Sequence, residues 1–422
     1  GRAEMFYREC ITSAFLVSRL DSYIVKILDT LNRMAGSLTT DIIDSVMTYD
    51  PDLMSSPIYQ SSHELDSQIF LGAKGYFLKR LYSYKFPVPP GFILTTEMFR
   101  RRVAISRYPE MSNEIFKLVR GRICELEKLT GKKFGDPRNP LLLSVRSGAA
   151  ISLPGAMNTF LNVGMNDHIV ELLSEQENYG WTSWDCYRRF LQSWGMAYGI
   201  TRDEFDSVII NFKQRYGVQE KITFTPDQMR TIAFAYKDIL VEHGVKFEED
   251  PFRQVMQAIM VVMDSWNTDR AKIFRDRLQI ASDWGTAVIL QQMVLGNINI
   301  DSGTGVLFTH DPFIKEPGIY LYGDFTNCSQ GEDVVAGLVH TLPISENQRK
   351  RSPNDRGISL EKDFPHIYKS LLKYARELIY THGFGHQEIE FTFESCKKDD
   401  LYILQTRDHT WGQDDEIPVF TD

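Results

Sequence analysis

Residues 387–407, QEIEFTFESCKKDDLYILQTR, constrain the fold more than any other stretch of the chain. Two alternating runs flank a polar turn, the pattern of a β-hairpin. Ile389, Phe391 and Phe393 share one side of the first run, while Glu388, Glu390, Thr392 and Glu394 share the other, because side chains alternate along a strand. In the second run Tyr402, Leu404 and Thr406 alternate with Leu401, Ile403, Gln405 and Arg407. The chain must therefore hold antiparallel sheet with one apolar and one polar face. Two readings of the polar face stay open. It is a solvated surface with an incidental ion pair, or a place where carboxylates, an amide and a guanidinium act together.

The rest of the chain surrounds this hairpin with helices and further strands in no regular alternation. Leu16, Leu20, Ile24, Ile27 and Leu31 recur at helical spacing, and the stretch YDPDLMSSPIYQSS, residues 49–62, reads as a linker. A helix is expected after LGAKG, ended by VPPGF (88–92) before a short strand. NPLLLSVRSGAA (139–150) reads as a buried strand entering a turn of small residues. Residues 166–245 are mostly helical by pattern. A helix over 250–278 opens with Asp250 as its cap and Pro251 in its first turn. TAVILQQMVLGN, GTGVLFTHDP and GIYLYGDF are apolar runs with glycine breaks, read as strands, and a helix around 364–382 precedes the hairpin. This order predicts an α+β chain, neither a regular barrel nor a doubly wound sheet.

Composition narrows the function classes. At 422 residues, 43% hydrophobic and 24% charged, the chain can bury a sizeable core. Its net charge of −9 argues against a general nucleic-acid binder. No apolar run reaches bilayer-spanning length and no signal peptide is visible, so no membrane partner is expected. The five cysteines are scattered without metal spacing, which suits reduced thiols and a cytoplasmic protein. His382 and His386 are four apart, but Gly383 and Gly385 break any helix between them, so the histidines offer no zinc pattern. The chain starts at Gly1 without Met, as a fragment or tagged piece of something longer would.

Three short motifs carry chemistry, each with a plain structural alternative. LGAKG sets Lys74 between glycines at a helix start, where anions are favoured, or it is an ordinary exposed lysine. In SVRSGAA, Arg146 leaves a buried strand and needs an anion or a carboxylate, since an unpaired buried charge is costly. QQMVLGN ends a strand whose main chain could meet an adenine edge, or is a plain buried strand.

Taken together and in order, GAKGYFL…PVPPGFILTTE, LLLSVRSGAAISLPGAMNTFLNVGMND, WDCYRRFLQSWG, DSWNTDRAKIFR, DWGTAVILQQMVLGN, GTGVLFTHDP, QGEDVVAG and QEIEFTFE…LYILQTR resemble the N-terminal nucleotide-binding region of the pyruvate phosphate dikinase family, shared with phosphoenolpyruvate synthase. The matching stretches run from about residue 70 to 408. The resemblance implies an ATP-grasp fold, two α+β subdomains clamping ATP with a helical insertion. Residues 1–65 have no counterpart in that resemblance and read from their own pattern as a helical extension and linker, while the resemblance makes 66–415 the nucleotide-binding domain. The insertion spans about 166–250 and the C-terminal subdomain about 297–410.

The resemblance also implies the site. Lys74 matches a phosphate-contacting lysine, Arg146 an arginine on the transferring phosphates, and Arg407 an arginine on the terminal phosphate. Gln292, Met293 and Val294 fall on the adenine-facing segment, Asp324 on the ribose-facing acid, and Gly148 in the small-residue turn beside the phosphates. Glu390 and Gln405 match a metal-proximal pair. Glu388 shares a face with Glu390 and joins it as a candidate Mg²⁺ ligand. The usual GGKG is GAKG here, Asp324 and Glu388 stand where Glu and Asp are common, and Asn158 and His310 replace a usual Asp and Arg. The implied activity is ATP- and Mg²⁺-dependent phosphoryl transfer to a histidine on a separate domain or subunit, and onward to pyruvate or another small acceptor. The family's histidine segment and acceptor-binding barrel are not in the sequence, so both are expected as partners. The rival readings are a non-catalytic nucleotide sensor and a direct kinase of a small molecule.

Overall fold

A computed structural model describes residues 3–4, 23–30, 50–62, 64–151, 155–331, 340–351 and 357–408. The ten strands among the described residues form two five-stranded antiparallel sheets. The first sheet contains β1 (Ser55–Pro57), β2 (Gly91–Leu94), β3 (Leu143–Gly148), β4 (Thr159–Val163) and β5 (Ala287–Gln292), in the order β1-β2-β5-β3-β4. The second contains β6 (Gly303–Phe308), β7 (Tyr322–Asn327), β8 (Leu342–Pro343), β9 (Gln387–Phe393) and β10 (Leu401–Asp408), in the order β10-β9-β6-β7-β8.

The helices, in chain order, are α1 (Gln68–Ser83), α2 (Pro109–Thr130), α3 (Asp167–Ser174), α4 (Gly180–Ala197), α5 (Arg202–Tyr216), α6 (Pro226–Glu242), α7 (Pro251–Ser265), α8 (Asp269–Leu278) and α9 (Pro365–Arg376), beside shorter turns. Local chemistry fixes their ends. Pro109 opens α2 and Gly131, in the left-handed region, closes it. Thr225 and Gln228 form a reciprocal capping box ahead of α6. The helix expected over 250–278 is two helices. The Asp250 side chain caps α7, and Thr268 breaks the run by capping α8.

Alternation along the strands of the first sheet feeds two cores. Phe92, Leu94, Val145, Val288 and Leu290 face α2, α4 and α7, where Ile115, Val119, Phe190, Trp194 and Ile259 are fully or almost fully buried. Ile93, Ala287 and Ile289 face the other way, onto Leu71, Leu78 and Leu81 of α1. That second core continues through Leu307, Phe325, Ile389, Phe391 and Phe393 of the second sheet to Ile367 and Leu371 of α9. Helices α3 to α8 lie between β4 and β5, so the helical insertion runs on past residue 250 to Leu278.

The linker expectation changes as well. The stretch 49–62 read as a linker is part of the fold from residue 50. Asp50 caps a turn at Pro51–Met54, β1 pairs with β2, and Met54 and Ile58 are each 1% exposed. Its Asp, Ser and Pro residues look like a linker, but two apolar anchors flanking a short edge strand suffice to hold it. Of the N-terminal apolar stripe, residues 23–30 are helical, while Leu16, Leu20 and Leu31 lie outside the described residues.

Candidate functional site

The hairpin of β9 and β10 forms as read, with one change that decides its chemistry. Leu401 and Ile403 point into the core beside Phe393 and Phe391. Strict alternation would send Gln405 and Arg407 into the same core. A β-bulge between Ile403 and Gln405 prevents this, so that Gln405 pairs with Glu390 and Arg407 with Glu388. The extra residue, Leu404, is absorbed by the bulge. The polar face thus carries one row of Gln405, Glu390, Val306 and Asp324 across four strands, and a second row beginning Arg407, Glu388.

This face closes one side of a cleft of about 740 Å³. Glu390, Gln405, Val306, Thr304 and Thr392 line it from the second sheet. Arg146, Gln291, Gln292, Met293 and Val294 line it from the first, with Lys74 from α1 and Asn158 from the loop before β4. Arg202 and Arg270 enter from the helical insertion.

Lys74 is placed by a close backbone approach. Gly72 has φ 67°, and a Cβ there would sit 1.7 Å from the Gly148 carbonyl oxygen. The Ala73 N–H donates to Ala149 O at 2.9 Å, tying the first turn of α1 to the end of β3. Gly148 itself is buried under this turn and is not among the residues lining the cleft. Burial lowers the Lys74 proton affinity, the Arg146 charge lowers it further, and Glu390 opposes both. Arg407 is near enough to add to the lowering, so Lys74, Arg146, Glu390 and Arg407 form one electrostatic group.

Arg146 is also pushed below the ordinary arginine range by burial, against the pull of Glu390. One of its terminal nitrogens donates to the Gln291 side-chain oxygen, and the Gln291 amide donates in turn to Pro89 O at 2.9 Å. Its Nε is buried without a hydrogen-bond partner among the described residues. An orphaned guanidinium N–H on a residue that lines the cleft suits an incoming anion.

Glu388 and Arg407 stand apart from that group in one respect. The Arg407 guanidinium donates to Glu388 Oε1 at 2.7 Å, and neither residue is among those lining the cleft. Asp324 is exposed on the same sheet face as Val306. Burial of its carboxyl raises its proton affinity and a hydrogen bond with Thr341 works the other way. In the segment expected to face adenine the Gln292 and Met293 N–H groups are already used, donating to Pro90 O and Leu142 O at 2.9 Å each.

The fit to a divalent ion follows from the donor set. Among the described residues no cluster of three His, Cys, Asp or Glu could hold a metal by itself. Glu390 and Gln405 nonetheless present facing oxygen donors at the cleft. Mg²⁺ is commonly held by one or two carboxylates together with substrate phosphates.

Sequence reasoning passed over several lining residues. Gln291 was legible as a polar residue inside an apolar strand. Arg270 lies in DSWNTDRA and Gln330 in QGEDVVAG, both noted as motifs but not as contacts. Arg202 had no signal, because only the packing of the insertion brings it to the cleft.

Beside the cleft lies a buried polar network. Asp185 is fully buried. Arg189 Nε and Arg188 reach its carboxylate at 2.9 Å and Lys221 at 3.2 Å. Burial raises its proton affinity, but Arg189, Lys221 and Arg188 overcome this and hold it well below the usual carboxylate range. Asn297 Nδ2 donates to Asp185 Oδ2 at 3.0 Å, and Gln330 Nε2 donates to Asn297 Oδ1 at 3.2 Å.

Two α+β halves closing on a cleft of lysine, arginine and facing carboxylate define an ATP-grasp domain. Residues 108–371 match the model of the pyruvate phosphate dikinase AMP/ATP-binding domain, and the chain belongs to that family. It is 38% identical over 344 residues to pyruvate, phosphate dikinase of Clostridium symbiosum, covering 80% of this chain and 36% of that protein. The enzyme of Rhizobium meliloti is 39% identical over 339 residues, with 80% and 37% covered. The chloroplastic enzyme of Mesembryanthemum crystallinum is 38% identical over 343 residues, with 80% and 33% covered. The chain thus spans about a third of the length of these relatives. No helix among the described residues is long and apolar enough to cross a membrane.

Proposed function

We propose that this chain binds Mg·ATP in the cleft between its sheets and donates a phosphoryl group to a histidine on a separate domain or subunit, for onward transfer to pyruvate or another small acceptor. The observation that carries the reading is the convergence of Lys74, Arg146, Glu390 and Gln405 on one cleft from four separate elements. Arg146 Nε and the Lys74 ammonium receive phosphate oxygens. Arg407 exchanges Glu388 for the terminal phosphate when nucleotide enters. The base lies against Met293 and Val294, where the carbonyls and the Val294 amide meet it, because the Gln292 and Met293 amides point inward. Asp324 lies at the ribose end of the same row.

Mg²⁺ held at Glu390 and Gln405 would supply charge neutralisation to the phosphate oxygens. Phosphoryl transfer asks mainly for such positioning and electrostatics. An imidazole nitrogen of the carrier attacks the phosphorus, and the P–O bond to the leaving nucleotide breaks. The greater length of the relatives supports a carrier and an acceptor site lying elsewhere than in these residues.

The test is single-turnover transfer of labelled phosphate to a reconstituted histidine domain from a relative. Arg407→Ala should lower transfer by roughly 10³-fold or more while ADP binding changes little. Transfer at the wild-type rate by Arg407→Ala would reduce the hairpin to a solvated sheet face.

A further inference from the structure

Gln330 is 3% exposed and lines the cleft, yet its side-chain oxygen has no hydrogen-bond partner among the described residues. A buried amide oxygen left unpaired is costly, and native sites rarely leave one without a use.

The orientation of this amide is set from a distance. The Asp185 carboxylate can only accept, so Asn297 must turn its NH₂ toward it. The Asn297 oxygen then faces Gln330, which must answer with its own NH₂. That NH₂ also reaches Cys186 Sγ at 3.2 Å. The Gln330 oxygen is what remains, an unpaired acceptor buried in the wall of the cleft. Reversing the amide would set two oxygens against each other. The chain of polarity is buried throughout, with Asp185 and Asn297 both 0% exposed.

The position is at the base end of the cleft. Ser329 N donates to Gly296 O at 2.9 Å, two residues beyond Val294. A Cβ on Gly296 would lie 2.6 Å from Ser329 O, so glycine permits this approach. Met293, Val294 and Gln330 consequently line the same cleft.

We propose that Gln330 is a specificity-determining residue whose side-chain oxygen accepts a hydrogen bond from the exocyclic 6-amino group of adenine, selecting a base with a donor there over one with an acceptor. This rests on the nucleotide reading given above. Inosine triphosphate carries an oxygen at that position and meets the Gln330 oxygen as a like dipole. Purine riboside triphosphate carries only hydrogen there and leaves the acceptor unmatched.

The experiment is calorimetric titration of the full chain with ATP, purine riboside triphosphate and inosine triphosphate, beside 3′-deoxy-ATP. The wild type should bind ATP about tenfold more tightly than purine riboside triphosphate, and inosine triphosphate more weakly still. In Gln330→Met, which keeps the volume and removes the acceptor, the three affinities should converge to within about threefold. The 3′-deoxy-ATP penalty should stay as in the wild type. Equal wild-type affinity for ATP and inosine triphosphate would overturn the assignment without any variant. So would an undiminished preference for ATP in folded Gln330→Met, or loss there of the 3′-hydroxyl preference instead. Failure of the wild type to bind ATP at all would refute the nucleotide reading and take this inference with it, whereas ATP binding without a 6-position preference would refute only this inference.

Discussion

At Lys74, burial and the Arg146 charge both disfavour the ammonium form, and Glu390 only partly offsets them. Its folded proton affinity is lower than in the unfolded chain. Between those two values the unfolded state binds more protons, so stability rises with pH across that window. Removing the charge should therefore stabilise the ligand-free fold: Lys74→Met is expected to melt higher at neutral pH than the wild type and to bind Mg·ATP at least about tenfold more weakly. A thermal melt and a titration of the same variant check both halves. Phosphates entering the cleft restore the lost preference for the ammonium, so binding should take up protons in the alkaline window below the unfolded lysine value. Calorimetry in two buffers of different ionisation heat reads this directly. Equal uptake by wild type and Lys74→Met would assign the proton to another group.

Gln291 belongs to the same scale. Its oxygen faces Arg146 and its amide is anchored on Pro89. Gln291→Leu should leave the strand in place and free the guanidinium, lowering the single-turnover rate more than ATP affinity. An equal loss in both would mean that Gln291 only supports binding.

Among the elements, the hairpin shows how much a sequence discloses. The alternation of 387–393 is written in the residues, and so are the turn and the partner strand. The bulge is not, because an extra residue in one strand has no compositional mark when Leu404 and Gln405 both suit a strand. It decides the site, since it separates Gln405 and Arg407 from the core-facing Leu401 and Ile403. Deleting Leu404 should remove the bulge yet leave Gln405 opposite Glu390 and Arg407 opposite Glu388, with nucleotide binding kept, whereas deleting Leu404 and Gln405 together should press the Arg407 guanidinium toward the core, at a cost of roughly 3 kcal/mol or more. Urea unfolding of the two deletions measures it, and equal midpoints would show that residue count does not set the facing of this strand. The edge strand β1 was hidden for a different reason. Its polar and proline-rich letters resemble a linker, and only the register opposite β2 reveals Met54 and Ile58 as core. A chain beginning at residue 60 should lose about 4 kcal/mol relative to one beginning at residue 50, because both anchors leave together. Equal stability of the two would return 50–59 to linker status.

For the whole molecule, the ordered motifs made the ATP-grasp class legible, and the resemblance they carry pointed to Lys74, Arg146, Glu390 and Gln405, which the fold brings to one cleft. What sequence could not supply is which segments meet across the cleft. Arg202, Arg270 and Gln330 come from stretches whose approach depends on how the insertion packs over the first sheet. The Asp185–Asn297–Gln330 network likewise joins residues more than a hundred positions apart.

The central claim is that the Glu390–Gln405 row and the Lys74–Arg146 wall together take a nucleotide through its metal-bound phosphates. Isothermal titration of ATP with and without Mg²⁺, on wild type and Glu390→Ala, tests it most directly. Tight binding by the wild type that weakens without Mg²⁺, and a Glu390→Ala variant whose affinity no longer responds to Mg²⁺, is the predicted result. Folded wild-type protein showing no heat at millimolar Mg·ATP, or a Glu390→Ala variant with the full Mg²⁺ response, would contradict it.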